Sequence, residues 1–454
     1  MQTFAPRALS SEHTMLVSHV MYAALNAVDP TRAVEAVLKL EDNILWVGDR
    51  QYRLDNYAHI LLVGVGKAAP AMGRGVVNRL GSRIEKGLLI CKHLPAPDDA
   101  PFPPQIHCLQ GNHPVPAQDS LNSAGQLAQL LAHSDPATLV ISLISGGGSA
   151  LMTLPQAGVS LEDLQQLTRQ LLACGAEIGE INTLRKHLDQ VKGGGLVQLS
   201  APAQIVSLIL SDVVGSPLEV IASGPTSPDP STYAGALAVL KKYALEDQVP
   251  PVVRQFLISG ENGLVPETLK PGDPRLEKVY NLVVGDNRTA AAAALSAAQN
   301  LGVHGRILTD SLTGEASQAG HFLAETLQKA RLEGPPNQAQ CLIAGGETTV
   351  TLQGSGLGGR NQEVALASVA ALAGLPNIAL VTLATDGEDG PTNAAGAVVT
   401  GESLGRAQRL HLDPFTALAQ NDSYPFFESL GDLVKIGPTG TNVNDLNFLW
   451  VFQD

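Results

Sequence analysis

Glycine-rich loops bearing hydroxyls, amides and a few charges recur directly after apolar runs in this sequence. The first, Gly64-Val65-Gly66-Lys67-Ala68-Ala69, closes the run HILLVGVG. It fits G-x-G-x-x-[GA], the turn that carries a dinucleotide pyrophosphate at a helix N-terminus. That turn needs an acid about 20 residues on, at the end of the second strand, to hold the ribose. Here the second strand ends Cys91-Lys92-His93, and the acid is missing. Nor is it a P-loop, which places four residues between its first glycine and Gly-Lys. What remains is a tight turn at a helix start with Lys67 in it, a place that favours anions. A plain surface lysine is the competing reading.

Ser145-Gly146-Gly147-Gly148-Ser149-Ala150 follows TLVISLIS. Glycines between serines let the backbone approach a ligand and offer N–H groups and hydroxyls. A flexible turn is the weaker alternative, because each glycine costs folding entropy. Asn182 opens the cationic stretch NTLRKHLDQVKGGGL (182–196). Arg185 and Lys192 could face an anion there, or form a solvated helix face. Gly193 alone would serve as a C-cap, so the further glycines are an excess. Ser211-Asp212 puts an acid at the end of the run AQIVSLILS. That position suits a general base, a magnesium ligand or a helix cap.

The C-terminal half adds Gly345-Gly346-Glu347-Thr348-Thr349 and GSGLGGRNQE (354–363), with Arg360 just before a helix. Asp386-Gly387-Glu388-Asp389-Gly390 sets three carboxylates on one loop, a magnesium holder or an ordinary acidic turn. His113, in Gly111-Asn112-His113-Pro114, reads as a turn histidine, since Asn and Pro already mark a turn. No GxSxG elbow, HExxH or HRD/DFG set is present. Donors, glycines and a few charges of each sign suit phosphoryl transfer, which needs positioning and charge stabilisation rather than covalent work.

The elements that hold these loops alternate between short apolar runs and helical periodicity, which predicts mainly parallel sheets. After the linker candidate NGLVPETLKPGDPR (262–275) the pattern restarts at VYNLVVG (279–285). TTVTLQG (348–354) reads as an antiparallel strand. The expectation is an α/β protein of two domains. Residues 1–265 form a Rossmann-like, mainly parallel sheet, and residues 276–454 an α/β domain with a mixed sheet.

The net charge of −14 and the scarcity of aromatics argue against a nucleic-acid or anionic-membrane partner. No apolar run reaches the length of a membrane span. The four cysteines are too scattered for a metal site and fit a reducing compartment. The start MQTFAPRALSSEHTM lacks a secretory apolar stretch, so cytoplasm is expected, with an organelle-targeting remnant left open.

Seven segments in order resemble the class II glycerate kinases, whose C-terminal part is the MOFRL domain. They are GVGKAAPAM (64–72), LISGGGSALM (143–152), INTLRKHLDQVKGGGL (181–196), SLILSDVVGSPLEVIASGPT (207–226), AGGETTVTLQGSGLGGRNQE (344–363), TDGEDGPTNAAGA (385–397) and GPTGTNVND (437–445). The resemblance implies ATP-dependent phosphorylation of D-glycerate to 2-phosphoglycerate, with Mg2+, in a cleft between two domains. It draws attention to Lys67, Asp212 and Arg360 as catalytic residues. On that reading Ser145, Gly146, Gly147, Gly148 and Ser149, with Gly346, Glu347 and Thr348, hold nucleotide phosphates. Asn182, Arg185 and Lys192 hold glycerate, with Arg360 an alternative for its carboxylate. Asp386 and Asp389 are the magnesium candidates. Two other readings stay open: a hydroxypyruvate reductase using NAD(P)H, which the missing acid at Lys92 disfavours, and a non-catalytic sensor of a phosphorylated metabolite. The expected partners are glycerate and ATP, with no membrane; a homodimer is an open option. The residues alone leave open which hydroxyl, 2 or 3, is phosphorylated.

Overall fold

The computed structural model describes residues 4–96, 100–334 and 338–453. The chain divides into two compact units. One comprises residues 30–211 and 216–284, the other residues 1–29, 212–215 and 285–454. Amphipathicity in the helix Ser11–Ala27 signals that one face is buried, but not against which partner; it groups with the C-terminal strands.

In the first unit, β1 (Leu38–Glu41), β2 (Ile44–Val47) and β3 (Arg50–Arg53) form a small antiparallel meander. The main sheet holds β4 (His59–Val65), β5 (Lys86–Cys91), β6 (Ile106–Gln110), β7 (Thr138–Ile144), β8 (Gln204–Leu210) and β9 (Val279–Gly285). Their order is β6-β5-β4-β7-β8-β9, and the first five pair in parallel. All of β7 is buried, as a strand covered on both faces must be, which is why it reads as one apolar run. From β6 to β8 the strands follow the 3-2-1-4-5 order of a Rossmann sheet, and that order reverses between β4 and β7.

One strand sits elsewhere than the sequence suggested. VYNLVVG does not open the second domain; it is β9, at the edge of the first sheet. Its side chains tie it there. Asn281 Nδ2 donates to Thr226 O (3.0 Å), and the Arg50 guanidinium stacks 4.3 Å from the Tyr280 ring. The linker candidate is also docked on this unit. Leu269 N–H donates to Gly193 O (3.2 Å), and Asp229 N–H to Leu269 O (2.7 Å).

The second unit holds β10 (His304–Leu312), β11 (Gln340–Gly346), β12 (Ile378–Ala384), β13 (Gly396–Thr400), β14 (Leu433–Val434) and β15 (Asp445–Val451). Their order is β10-β11-β15-β12-β13-β14. β10 and β11 are parallel, and the other pairs antiparallel, so the sheet is mixed as expected. Running between β11 and β12, β15 places Asp445 opposite both Gly346 and Ala384. Leu380, Leu449 and Phe427 belong to the buried core of this sheet.

TTVTLQG is not the antiparallel strand it resembled; its strand-type pairing among the described residues is a single parallel bridge, Glu315 to Thr349. Several of its N–H groups are satisfied by loops and side chains instead. Thr349 N–H donates to Gly314 O (2.8 Å), and both Gln353 and Gly354 donate to Asn421 Oδ1 (2.7 and 3.0 Å). Among the described residues no helix is long and apolar enough to cross a membrane.

Candidate active site

The reversal of strand order makes β4 and β7 neighbours, with Val65 opposite Ile144, so their exit loops meet. Lys67 N–H donates to Gly146 O (2.9 Å), Ala68 N–H to Ser145 Oγ (3.1 Å) and Ser145 N–H to Val65 O (2.9 Å). Two positions there require glycine. Gly66 has φ +128°, and a Cβ on it would fall 2.1 Å from Ser145 Oγ. Gly147 has φ +81°, and its Cβ would lie 3.1 Å from the His113 ring. The N–H groups of Gly146, Gly147 and Ser149 meet no acceptor among the described residues, and neither does the exposed Lys67 ammonium. Unpaired backbone donors beside a cation make an anion cradle.

A second loop closes on the first. Ser149 Oγ lies 2.8 Å from Ser223 Oγ, which in turn lies 3.4 Å from the Oδ1 of buried Asn182. Ala222 (φ +50°) and Ser223 (φ +62°) are left-handed without being glycine. Such residues cost roughly 1–2 kcal/mol each and persist only where surrounding bonds impose them. Gly193 and Gly194 supply those bonds, donating to Ser223 O (3.0 Å) and Gly224 O (2.8 Å). The excess glycines thus have a packing cause. A Cβ on Gly194 would meet Leu269 Cβ at 2.4 Å, and one on Gly195 would meet Gln190 O at 2.0 Å.

Arg185 and Lys192, expected together at the substrate, differ in kind. Lys192 is buried, and its Nζ donates to Asp189 Oδ2 (2.5 Å), Met152 O (3.0 Å) and Thr153 Oγ1 (3.3 Å). An ammonium has three N–H bonds, so none is left for a ligand. Burial pushes the Lys192 pKa down and the Asp189 pKa up. With Val191 and Leu154 N–H also aimed at Asp189, the charged pair is the form that satisfies every group. Arg185 lines the same small pocket as Ser149 and Lys192 and makes no hydrogen bond or ion pair among the described residues. Burial lowers its pKa, and the charge of Asp189 partly offsets that. A half-buried, unpaired guanidinium suits a carboxylate ligand, which it can grip bidentately.

Asp212 stands two residues beyond β8, half-buried, at the carboxyl end of its sheet. It has a partner within the protein.

In the other unit, Arg360 opens the helix Arg360–Ser368. Its Nε and Nη2 grip Asp445 (2.6 and 3.1 Å), and Nη1 donates to Glu347 Oε1 (2.6 Å). Burial opposes this charge, but Asp445 and Glu347 outweigh it and raise the guanidinium pKa. Three of its five N–H bonds are engaged, leaving two. Asp445 was missed in the sequence. Its only signal there is an acid at the head of an apolar run. Gly346, at φ +148°, lets β11 pass close to Leu312, where a Cβ would meet the backbone at 2.2 Å. Thr348 is buried beside it.

Asp389, a magnesium candidate, is a helix cap. Its Oδ1 accepts from Asn361 N–H (3.1 Å) and its Oδ2 from Gln362 N–H (2.8 Å). Burial pushes its pKa up to about 6. These bonds occupy two of the N–H groups at the helix N-terminus. The glycines of GSGLGG are wedged between this cap and a turn at 420–424. A Cβ on Gly359 would lie 2.3 Å from Asp389 Cγ, and one on Gly358 would lie 2.1 Å from Ser423 Oγ.

Glu347, Thr348, Arg360, Asp386 and Glu388 line one cavity of about 640 Å3, a size that suits a small-molecule ligand. Asp386, Glu388 and Asp389 all line this cavity, and magnesium arriving with a nucleotide needs only one or two protein carboxylates. Among the described residues, no three His, Cys, Asp or Glu side chains are grouped to enclose a metal.

The fold is that of an α/β protein with donor-rich loops at the ends of its strands. Residues 16–258 match the family described as a domain of unknown function (DUF4147), and residues 340–445 match the MOFRL family. The D-glycerate 2-kinase of Thermotoga maritima is 39% identical, covering 98% of each chain. A crystal structure of glycerate kinase from that organism superposes with a TM-score of 0.86 at 37% identity, covering 97% of this chain and 100% of the other. A relative from Agrobacterium vitis, 38% identical over 86% of this chain and 87% of its own, has a provisional name as a hydroxypyruvate reductase. The chain belongs to the class II glycerate kinases, the family that pairs these two domains.

Proposed function

We propose that this protein transfers the γ-phosphoryl group of ATP to D-glycerate, giving 2-phosphoglycerate. The observation that carries this reading is the cradle at the β4–β7 reversal: Lys67 beside three N–H groups, all without acceptors. Family membership supplies the substrates. The Lys92 position, which lacks the ribose-binding acid, gives the reductase reading no support.

The residues take these roles. The N–H groups of Gly146, Gly147 and Ser149 hold phosphate oxygens, while Lys67 neutralises charge that builds on the transferred group. Arg185 grips the glycerate carboxylate, and the Asn182–Ser223–Ser149 chain orients hydroxyl donors beside it. Lys192 positions this wall through Asp189 rather than touching substrate. Asp212 accepts the proton of the attacking hydroxyl. Arg360, with two free N–H bonds, contacts nucleotide phosphate. Glu347 and Asp445 hold its plane. Mg2+, held by Asp386 and Glu388, would add positive charge to the nucleotide phosphates.

Lys67→Ala tests the cradle. Glycerate-dependent ADP release should fall by about 100- to 1000-fold, the usual loss on deleting a transition-state charge donor. The thermal melt should stay near that of the parent protein. Turnover within a few-fold of the parent would remove Lys67, and with it the cradle, from the mechanism.

A further inference from the structure

We infer that His113 and Lys92 complete the cradle around Gly147, and that His113 donates a hydrogen bond to the phosphoryl group that Lys67 meets. This rests on the phosphotransfer reading above and adds two residues to it.

The geometry comes from Gly147. Measured from the point where its Cβ would stand, His113 Cδ2 is 3.1 Å away, His113 Nε2 3.4 Å and Lys67 Cγ 3.5 Å. The imidazole edge and the lysine chain therefore flank the same glycine, whose N–H is free. The loop that carries His113 is fastened on both sides. Gly111 N–H donates to Cys91 O (2.9 Å) and Asn112 N–H to Ser120 Oγ (2.9 Å). Beyond the ring, Gln165 Nε2 donates to Pro116 O (2.8 Å). Gly111 itself packs so close to Leu151 that a Cβ would lie 2.4 Å from its carbonyl oxygen. A turn this constrained exceeds what a solvent-facing histidine requires.

Neither ring nitrogen of His113 has a hydrogen-bond partner among the described residues. The charged groups that act on it are Lys67 and Lys92, both cations. Burial, then these two charges, hold its pKa below the ordinary value, so the ring is neutral near pH 7. A neutral imidazole keeps one N–H to donate. Among the described residues no carboxylate hydrogen-bonds this ring. An incoming phosphate oxygen is the acceptor that this arrangement lacks. Lys92 directly follows β5, where a dinucleotide enzyme carries its ribose-binding acid. The residue that disqualifies the ribose site thus contributes positive charge to a phosphate site.

The test uses full-length His113→Leu, His113→Gln and Lys92→Met, assayed by glycerate-dependent ADP release with ATP varied. His113→Leu should lower kcat/KM for ATP by about 10- to 100-fold, the range for a lost hydrogen bond to a charged group. His113→Gln keeps an N–H donor and should recover to within about fivefold of the parent, a rescue that a packing role would not produce. Lys92→Met should raise KM for ATP by about tenfold with little change in kcat, since a more remote charge acts on binding. Should His113→Leu fail to fold, His113→Gln and Lys92→Met carry the test. His113→Leu within twofold of the parent, His113→Gln as impaired as the leucine variant, or Lys92→Met with unchanged KM each overturn the inference. If Lys67→Ala is inactive while His113→Leu is unaffected, only this inference fails. If both remain active, the phosphotransfer cradle fails with it.

Discussion

Lys192→Met separates a structural lysine from a substrate-binding one. The methionine fills the aliphatic volume but leaves Asp189 buried, at 3% exposure, without its counter-charge. Breaking a buried pair this way costs about 3–5 kcal/mol. The pair belongs to a unit of roughly 250 residues, for which 1 kcal/mol shifts the midpoint by about 2–4 °C. The transition of that unit should therefore fall by about 10 °C in calorimetry of the whole protein. At low temperature, where the variant is folded, KM for glycerate should stay within about fivefold of the parent, because no Lys192 N–H is free for substrate. Adding Asp189→Leu should restore only part of the loss. It removes the stranded charge, but Val191 and Leu154 N–H then lose their acceptor, at about 1–3 kcal/mol each. A variant melting within 2 °C of the parent, with KM for glycerate raised about 50-fold, would refute this reasoning and return Lys192 to the substrate site.

Gly147→Ala should cost about 1–2 kcal/mol through its left-handed backbone, and it pushes the His113 ring away. It should lower kcat/KM for ATP by at least about tenfold; unchanged kinetics would contradict the cradle geometry. Asp389, raised to about 6, favours the folded state most below pH ~4, and that advantage fades as pH rises through 6. The swing is about 3 kcal/mol. Asp389→Asn should flatten this part of the stability profile measured by chemical denaturation, and a profile parallel to the parent's would be inconsistent with a carboxyl so perturbed.

The first sheet could be read because parallel strands covered on both faces are unbroken apolar runs, and each exit loop follows its strand directly. Ser145–Ser149 and Lys67 were legible for that reason. Long-range pairing was not. β9 carries the same apolar signal as any strand, and only Asn281, Tyr280 and their partners decide which sheet it joins. Lys192 and Arg185 look alike as cations seven residues apart. Asp189, three residues before Lys192, distinguishes them only once the chain has folded. The glycines of 354–359 pack against the turn at 420–424 and Asp389, which the sequence left unconnected. The capping role of Asp389 was not legible, because an acidic loop and a helix cap use the same residue and the helix it caps begins 29 residues earlier.

The central claim is phosphoryl transfer to glycerate, and NMR of the full-length protein mixed with ATP, Mg2+ and D-glycerate tests it most directly. The prediction is ADP formed in step with a new phosphomonoester coupled to the C2 proton, marking 2-phosphoglycerate. No glycerate-dependent phosphomonoester, together with oxidation of NADH or NADPH by hydroxypyruvate, would contradict it.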